Sequence, residues 1–173
     1  MVPPSWAKYV RVHTTIYVRA HASWYSARMS TTDAEQAWGA LLRVHARLVP
    51  RLDREMQAAT GLPLAWYDVL LELHSAGGRL RMSELGERVV LSRTRVSRIV
   101  DDLERAGLVA REANPEDGRS SYALLTDEGR RRFRASAKVY RAGIQREIGD
   151  RVDAAALRVL AETLGRIATD VEP

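Results

Sequence analysis

The chain has 173 residues, of which 46% are hydrophobic, and it contains no cysteine. This length suits one modest domain and is small for two separate cores, while the lack of cysteine excludes a thiol-based peroxide sensor or a zinc-thiolate site and argues against a disulfide-stapled secreted protein. Residues 1–28 carry four basic and no acidic residues and so supply +4 of the net charge of +5, which means that overall basicity is not a sign of nucleic-acid binding. No run of about 18 apolar residues is present, so we expect a cytoplasmic protein without a membrane span.

Residues 1–32 form an N-terminal extension in which no period of 3.6 or 2 residues organises the aromatic residues. Two interpretations stay open. Either the true start is Met29 and the upstream residues are a mis-called reading, which we favour, or the extension is a disordered or DNA-wrapping arm. A signal peptide fits poorly, because Arg11 and Arg19 interrupt any apolar core.

Apolar residues at helical spacing predict a long first helix that begins at Asp33 and ends near Gly61. A second helix follows and should stop at Gly77 and Gly78, because glycine disfavours a helix interior. The positions that define the two apolar faces are Trp38, Leu41, Leu42, His45, Leu48, Leu52 and Met56 in the first helix and Leu64, Tyr67, Leu70, Leu71 and His74 in the second.

Two short helices joined by a tight turn are predicted next. The first is marked by apolar residues, with Ser83 as a possible N-cap, and the second begins after Ser92, which stands where an N-cap belongs. Gly107 occupies the C-terminal capping position and should end the second helix. The apolar positions are Met82, Leu85, Val89 and Val90 in the first helix and Val96, Ile99, Val100 and Leu103 in the second.

The opposite face of the second short helix is polar and basic near its N-terminus, and residues 92–100 contain no acid. At 100° per residue, the side chains that point away from the apolar stripe are Thr94, Arg95, Ser97, Arg98, Asp101 and Arg105. A major groove admits one α-helix, whose N-terminal residues reach base edges. The candidate DNA contacts are therefore Ser92, Arg93, Thr94, Arg95, Ser97 and Arg98, and the alternative is a solvated face that happens to be rich in arginine.

A β-hairpin is predicted after these helices. An extended run starts at Leu108, residues 114–118 (NPEDG) have the chemistry of a turn, and residues 120–125 return. Arg119 leaves the tip, where a guanidinium could enter a minor groove. Two helices followed by such a hairpin make a winged helix-turn-helix, which we assign to residues 62–126 of a mainly α fold with a small β-hairpin wing.

A fifth helix from Asp127 to about Glu147 and a sixth from Asp153 to Ala168 complete the chain. Their apolar faces, like that of the first helix, are too wide for the small central domain to cover, so we predict a homodimer in which residues 33–60 and 127–170 are dimerisation helices. A two-fold dimer would read a pseudo-palindromic operator in double-stranded DNA with half-sites about 10 base pairs apart. The apolar positions are Phe133, Tyr140, Ile144 and Ile148, then Leu157, Leu160, Leu164 and Ile167.

An ordered set of motifs runs through this region: Leu91-Ser92-Arg93, Val96-Ser97-Arg98, Leu103-Glu104-Arg105, Gly107-Leu108-Val109, Asp117-x-Arg119 and Leu125-Thr126-x-x-Gly129. In these motifs the chain resembles the multiple-antibiotic-resistance-regulator (MarR) family of bacterial transcription factors, over roughly residues 34–170. The resemblance implies that Arg119 lies in the minor groove and the helix from Ser92 in the major groove. Asp117 would brace the wing arginine or a neighbouring helix, or simply form the turn. Gly118 replaces an arginine of many members, which would weaken wing contacts to phosphate.

Members of this family are often released from DNA by small anionic or phenolic ligands, so the resemblance also implies a repressor with such an effector. The candidate pocket residues are Trp38, Arg43, His45, Arg47, Trp66 and Tyr67. Four of them also have a plainer interpretation, which we favour: Trp38 and Tyr67 lie in the core, His45 lies at an interface and Arg47 is in solvent.

No enzyme activity, cofactor or metal is expected, because the four histidines lack metal-ligand spacing and no P-loop, dinucleotide fingerprint or nucleophile elbow is present. The alternative function is a winged-helix module that dimerises or binds protein without reading DNA. The arginines at positions 93, 95, 98 and 119 favour DNA, since a protein-binding face more often carries exposed apolar groups.

Overall fold

The computed structural model describes residues 32–89, 92–115, 117 and 120–170, with Arg93 and Asp170 described in their backbone only. The N-terminal extension with its possible start at Met29 lies outside these residues, as do Val90, Leu91, Gly118 and Arg119. The chain divides into two units between Arg51 and Leu52, inside the first helix.

Helix α1 (Asp33–Thr60) begins with a capping box. The Glu35 carboxylate accepts the N–H of Thr32 at 2.7 Å, and the Thr32 hydroxyl accepts the N–H of Glu35 at 3.3 Å. In the first unit, Trp38 and Leu41 are 55% and 40% exposed, so the interpretation of Trp38 as a core residue is wrong for the single chain. The apolar stripe of this part of α1 thus faces solvent in one chain.

The second unit begins with the end of α1, where Leu52 and Met56 are buried. Helix α2 (Leu64–Ser75) follows, and the carboxylate of Asp53 accepts the N–H of Leu64 at 2.7 Å, which caps it. Helix α5 (Asp127–Ile144) packs on α2 and continues into a π-helical turn, Gln145–Gly149. The ring of Tyr67 in α2 stacks on Phe133 of α5 and packs at a tilt against Tyr140, with ring centroids 5.3 and 5.1 Å away.

The winged unit contains a short strand that the sequence analysis missed. Strand β1 (Arg79–Arg81) leads into α3 (Met82–Arg88), and α4 (Arg93–Arg105) is followed by β2 (Val109–Ala113) and β3 (Ser121–Leu125). The antiparallel sheet has the order β1-β3-β2, so the wing is part of a three-stranded sheet rather than a hairpin alone.

Helix α3 begins at Met82, one residue before Ser83, which the sequence suggested as its N-cap. Arg81 occupies the N-cap position, and the Glu84 carboxylate accepts its N–H at 3.0 Å, so the assignment of Ser83 as the cap is wrong. Val89 has an extended backbone at the C-terminal end of α3 and is buried there. The cap shifts because β1 fixes the extended backbone that precedes the helix.

Helix α4 buries the stripe that its spacing predicts: Val96, Ile99, Val100 and Leu103 are each at most 7% exposed. Gly107 ends the helix with φ 71°, and the N–H of Leu108 donates to the carbonyl of Leu103 at 2.9 Å. This 6→1 hydrogen bond and the left-handed glycine form a Schellman motif.

Thr126 joins the end of α4 to the start of α5. Its hydroxyl contacts the carbonyl oxygens of Gly107 and Leu108 at 2.8 and 3.0 Å and accepts the N–H of Gly129 at 3.0 Å. A side chain at Gly129 would overlap the Leu108 carbonyl oxygen. The Leu125-Thr126-x-x-Gly129 motif is therefore a joint between two helices.

Helix α6 (Ala154–Asp170) begins where the Asp153 carboxylate accepts the N–H groups of Ala155 and Ala156, both at 2.9 Å. Its Val159, Leu160 and Ile167 are 63%, 47% and 56% exposed. None of the helices described here is long and apolar enough to cross a membrane. The cytoplasmic location stays a prediction.

Candidate nucleic-acid interface

The exposed face of α4 presents four side chains of the kinds that contact bases and phosphates. Thr94, Arg95, Ser97 and Arg98 are all exposed, as the spacing predicts. Within the described part of the chain, neither Arg95 nor Arg98 forms an ion pair. Both guanidinium groups are therefore available to an approaching anion.

The N-terminus of α4 faces solvent with no acidic residue in its first turn. Ser92 occupies the N-cap position, where its carbonyl accepts the N–H groups of Arg95 and Val96 at 2.9 and 3.0 Å, but its hydroxyl makes no capping hydrogen bond. The side chain of Arg93 lies outside the described residues. The positive end of the helix dipole is thus left without a side-chain acceptor from Ser92.

The base of the wing tip is closed by hydrogen bonds around Asn114, which is 4% exposed. Its side-chain amide donates to the Ser120 hydroxyl at 2.8 Å, and the N–H of Ser120 donates to the Asp117 carbonyl at 2.9 Å. Asp117 is exposed and its backbone helps to close the turn. Whether its carboxylate braces the wing arginine or a neighbouring helix, or only forms the turn, stays a prediction. Arg119 itself lies outside the described residues.

Residues 60–120 match the sequence model of the MarR family. The uncharacterized HTH-type transcriptional regulator YdgJ of Bacillus subtilis is 30% identical over 117 residues, which cover 68% of this chain and 70% of YdgJ. Sco3205, a MarR family transcriptional regulator from Streptomyces coelicolor whose crystal structure is in complex with DNA, is 31% identical with a TM-score of 0.76, over 85% of this chain and 93% of that one. AbsC, a MarR family transcriptional regulator from the same organism, is 32% identical with a TM-score of 0.73, over 83% of this chain and 97% of its own. The chain belongs to the MarR family.

As a MarR-family protein, the chain is a transcriptional regulator and not an enzyme, as predicted. The winged helix-turn-helix predicted from its sequence is also confirmed, both by the elements described above and by the likeness to Sco3205. Among the described residues, no group of three or more histidine or carboxylate side chains is arranged to hold a metal ion.

Arg111 connects the wing of this MarR-family chain to α4, and the sequence analysis did not single it out. Its guanidinium lies 2.7 Å from the Asp101 carboxylate and 3.8 Å from that of Glu104. Asp101 was predicted to point away from the apolar stripe, and it does so toward β2 rather than into open solvent. The signal in the sequence was the alternation of Val109, Arg111 and Ala113, which puts a charged residue on the face of the strand that turns toward the helix.

A second arginine cluster lies on the opposite face of the sheet. The guanidinium of Arg79 sits 3.7 Å above the ring of Tyr122 and pairs with Glu112 at 2.8 Å, and Arg81 donates to the Tyr122 hydroxyl at 3.2 Å. Cation–π and ion-pair contacts therefore hold β1, β2 and β3 together across their exposed face. This cluster could not be predicted from the sequence, because both of its arginines lie on β1, which carries too little pattern to be predicted.

The six candidate ligand residues lie on α1 and α2. The four on α1, namely Trp38, Arg43, His45 and Arg47, are exposed; on α2, Trp66 is half-buried and Tyr67 is 4% exposed. Burial raises the pKa of Tyr67, and nearby Arg141 lowers it in part. Tyr67 therefore belongs to the core as its plainer interpretation holds, and the ligand pocket stays a prediction.

Beside Tyr67, two further groups have unusual surroundings. Burial, then the charges of Glu72 and Asp53, raise the pKa of the half-buried Asp68 to about 6. His74 packs against Phe133 with ring centroids 4.6 Å apart, and its buried Nδ1 has no hydrogen-bond partner among the described residues. Neither residue was assigned a functional role from the sequence.

Proposed function

We propose that the chain is a homodimeric repressor that binds a specific DNA operator through α4. The observation that supports this most is that Arg95 and Arg98, which form no ion pair with any residue that the structure describes, lie beside Thr94 and Ser97 on the exposed face of a helix whose other face is buried. Arginine in the major groove donates two hydrogen bonds to guanine, and short hydroxyl side chains contact either base edges or phosphate.

Ser92 and Arg93 are proposed to hold a phosphate at the start of α4, because free N–H groups and the helix dipole favour an anion there. Arg119 would enter the adjoining minor groove from the wing. Asp117 would help to form the turn from which Arg119 leaves. In this proposal residues 62–126 bind DNA.

Residues 33–60 and 127–170 are proposed to form the dimer interface. Supporting this, Trp38, Leu41 and Val44 of α1 are exposed in the single chain, and so are Val159 and Ile167 of α6. Exposed apolar residues in this number are typical of a surface that another protein covers. Two-fold symmetry would place the two copies of α4 on half-sites about 10 base pairs apart in a pseudo-palindromic operator.

A small anionic or phenolic effector is proposed to release the dimer from DNA. The candidate residues for its pocket remain Trp38, Arg43, His45, Arg47, Trp66 and Tyr67. Such a ligand acts only if it binds the DNA-competent and incompetent arrangements of the dimer with different affinity. A screen that monitors release of bound DNA would test this part separately.

The first test is binding of the purified protein to the intergenic DNA upstream of its own gene and to a scrambled duplex of equal length, over a series of salt concentrations. We expect tight, sequence-dependent binding that weakens as salt rises. Arg98→Ala should show a smaller preference for this DNA over the scrambled duplex. Arg105→Ala is the matched control, because Arg105 is on the same helix but pairs with Asp102. No binding at any salt concentration would instead favour an interaction module that does not read DNA.

A further inference from the structure

Arg111 stands on the face of the sheet that packs against the helices. The register pairs Arg111 with Ala123 and Val109 with Leu125, and the last three of these residues are buried. Side chains on one face of an antiparallel pair lie directly opposite each other, so the small Ala123 leaves room for a long side chain at position 111. Arg111 uses this room to reach α4, and 31% of its side chain stays exposed.

The contacts of Arg111 extend along two turns of α4. Its Nη2 lies 2.7 Å from the Asp101 carboxylate and 3.4 Å from the carbonyl oxygen of Ser97, and its Nε lies 3.8 Å from the Glu104 carboxylate. Asp101 and Glu104 are three residues apart and so share one side of the helix. One guanidinium therefore ties the wing strand to the helix at three points.

Asp101 and Glu104 are acidic residues on the helix that is proposed to enter the major groove. An unpaired carboxylate repels phosphate, and the repulsion is strongest where water is displaced from the interface. A guanidinium has the planar, multiple-donor geometry to hold several acceptors at once, whereas a lysine ammonium is a point charge on a flexible stem. Arg111 can thus both hold α4 in place against the wing and neutralise the two carboxylates on that side of the helix.

We propose that Arg111 is a positioning residue for DNA recognition. It fixes α4 and the wing strand at one relative position and neutralises the acidic side of α4, without itself contacting DNA. This inference rests on the proposed DNA-binding function. It adds that the spacing between the major-groove helix and the minor-groove wing is set by an ion-pair network within the chain.

The test replaces Arg111 by Met, which keeps an unbranched side chain about as long as the arginine stem and removes the guanidinium with its charge and hydrogen bonds. We expect Arg111→Met to bind the best duplex selected from a random DNA library about tenfold more weakly than the natural chain. Arg79→Met is the matched control, because Arg79 lies on the opposite face of the same sheet and has its own ion pair with Glu112 at 2.8 Å. That control should bind within about twofold of the natural chain.

Two further variants separate positioning from direct contact with phosphate. Adding Asp101→Asn and Glu104→Gln to Arg111→Met should restore part of the lost affinity, because no unpaired carboxylate is left to repel DNA. The gain should be larger in the Arg111→Met background than from the same two changes in the natural chain, whereas an equal gain in both backgrounds would indicate a lost phosphate contact instead. Arg111→Lys should bind with intermediate affinity, since it keeps the charge but not the several hydrogen bonds.

The position of the wing can be measured without DNA. Because the chain has no cysteine, spin labels at Ala106→Cys and Ala113→Cys, both exposed, report the distance between the end of α4 and the wing strand. We expect a narrow distance distribution in the natural background and a broader one with Arg111→Met. Equal distributions, or unchanged affinity of Arg111→Met for DNA, would overturn the inference. Failure of the natural chain to bind any duplex would overturn the proposed function, while the spin-label distances would still test the link between helix and wing.

Discussion

At the scale of single residues, Asp68 makes the stability of the fold depend on pH. Burial and the neighbouring charges of Glu72 and Asp53 raise its pKa from 3.8 to about 6. A carboxyl whose pKa is higher in the folded state contributes stability that is fully present below the unfolded pKa and is lost as pH rises through the folded pKa. The contribution of Asp68 is therefore complete below pH 3.8 and is lost as the pH rises through about 6.

The substitution Asp68→Asn should remove this dependence. At pH 7.5 we expect the variant to be more stable than the natural chain by on the order of 1 kcal/mol, after allowing for solvent screening of a half-buried group, and the difference should vanish near pH 4. Urea unfolding of both chains between pH 4 and pH 8 measures it. If the free energies of unfolding of the two chains differed by the same amount at every pH in this range, Asp68 would have the same pKa in the folded and the unfolded chain.

Arg98 and Arg119 should differ in how they contribute to DNA binding. Arg98→Ala or Thr94→Ala removes a group proposed to read base edges, so the preferred sequence should change, with a loss of about 1–3 kcal/mol on the original site. Arg119→Ala should weaken binding to all duplexes more uniformly, because the minor groove carries less sequence information. Selection from a random duplex library, followed by affinities over a salt series, measures both. An Arg119→Ala chain that binds as tightly as the natural one at every salt concentration contradicts the wing assignment.

At the scale of elements, the joint between α4 and α5 depends on one glycine. Because a Cβ at position 129 would overlap the carbonyl oxygen of Leu108, Gly129→Ala must shift the backbone and should cost about 1–3 kcal/mol of unfolding free energy. Gly165→Ala is the control, since an added Cβ there meets nothing within 4 Å and alanine is the better helix former. Urea unfolding should show the control unchanged or slightly stabilised. A small effect at Gly129 would mean that the joint tolerates a wider separation of the helices.

The sequence predicts the longer elements well, because their apolar residues repeat at helical spacing over many turns. Helix α1 begins at Asp33 as predicted, and α4 buries the expected four residues. Strand β1 escaped prediction because three residues with one apolar side chain carry too little pattern, and it forms only where β3 offers backbone partners. The predicted N-cap of α3 was wrong for the same reason, because the position at which this helix begins depends on β1.

Within the candidate interface, the sequence predicts the exposed residues better than the connections between elements. Thr94, Arg95, Ser97 and Arg98 are exposed because the periodicity of one helix determines its faces. The partners of Arg111 depend instead on how β2 packs against α4, and the separate periodicities of a helix and a strand do not show which of their side chains meet. The exposure of Trp38 has a similar cause, because helical spacing shows that a face is apolar but not which surface covers it.

At the scale of the whole molecule, DNA binding should depend on the apolar residues of α6. Leu160 is 47% exposed in one chain, and a charged residue there could not be buried against a second copy without a large cost. We expect Leu160→Glu to be monomeric in sedimentation experiments and to bind the selected duplex about 100-fold more weakly, because the two half-sites would no longer be held by one particle. Arg166→Glu, on the polar side of the same helix, also adds a carboxylate and should remain dimeric with little loss of binding. A Leu160→Glu chain that still sediments as a dimer would move the interface away from α6, and a monomer that binds as tightly as the natural chain would separate dimerisation from operator recognition.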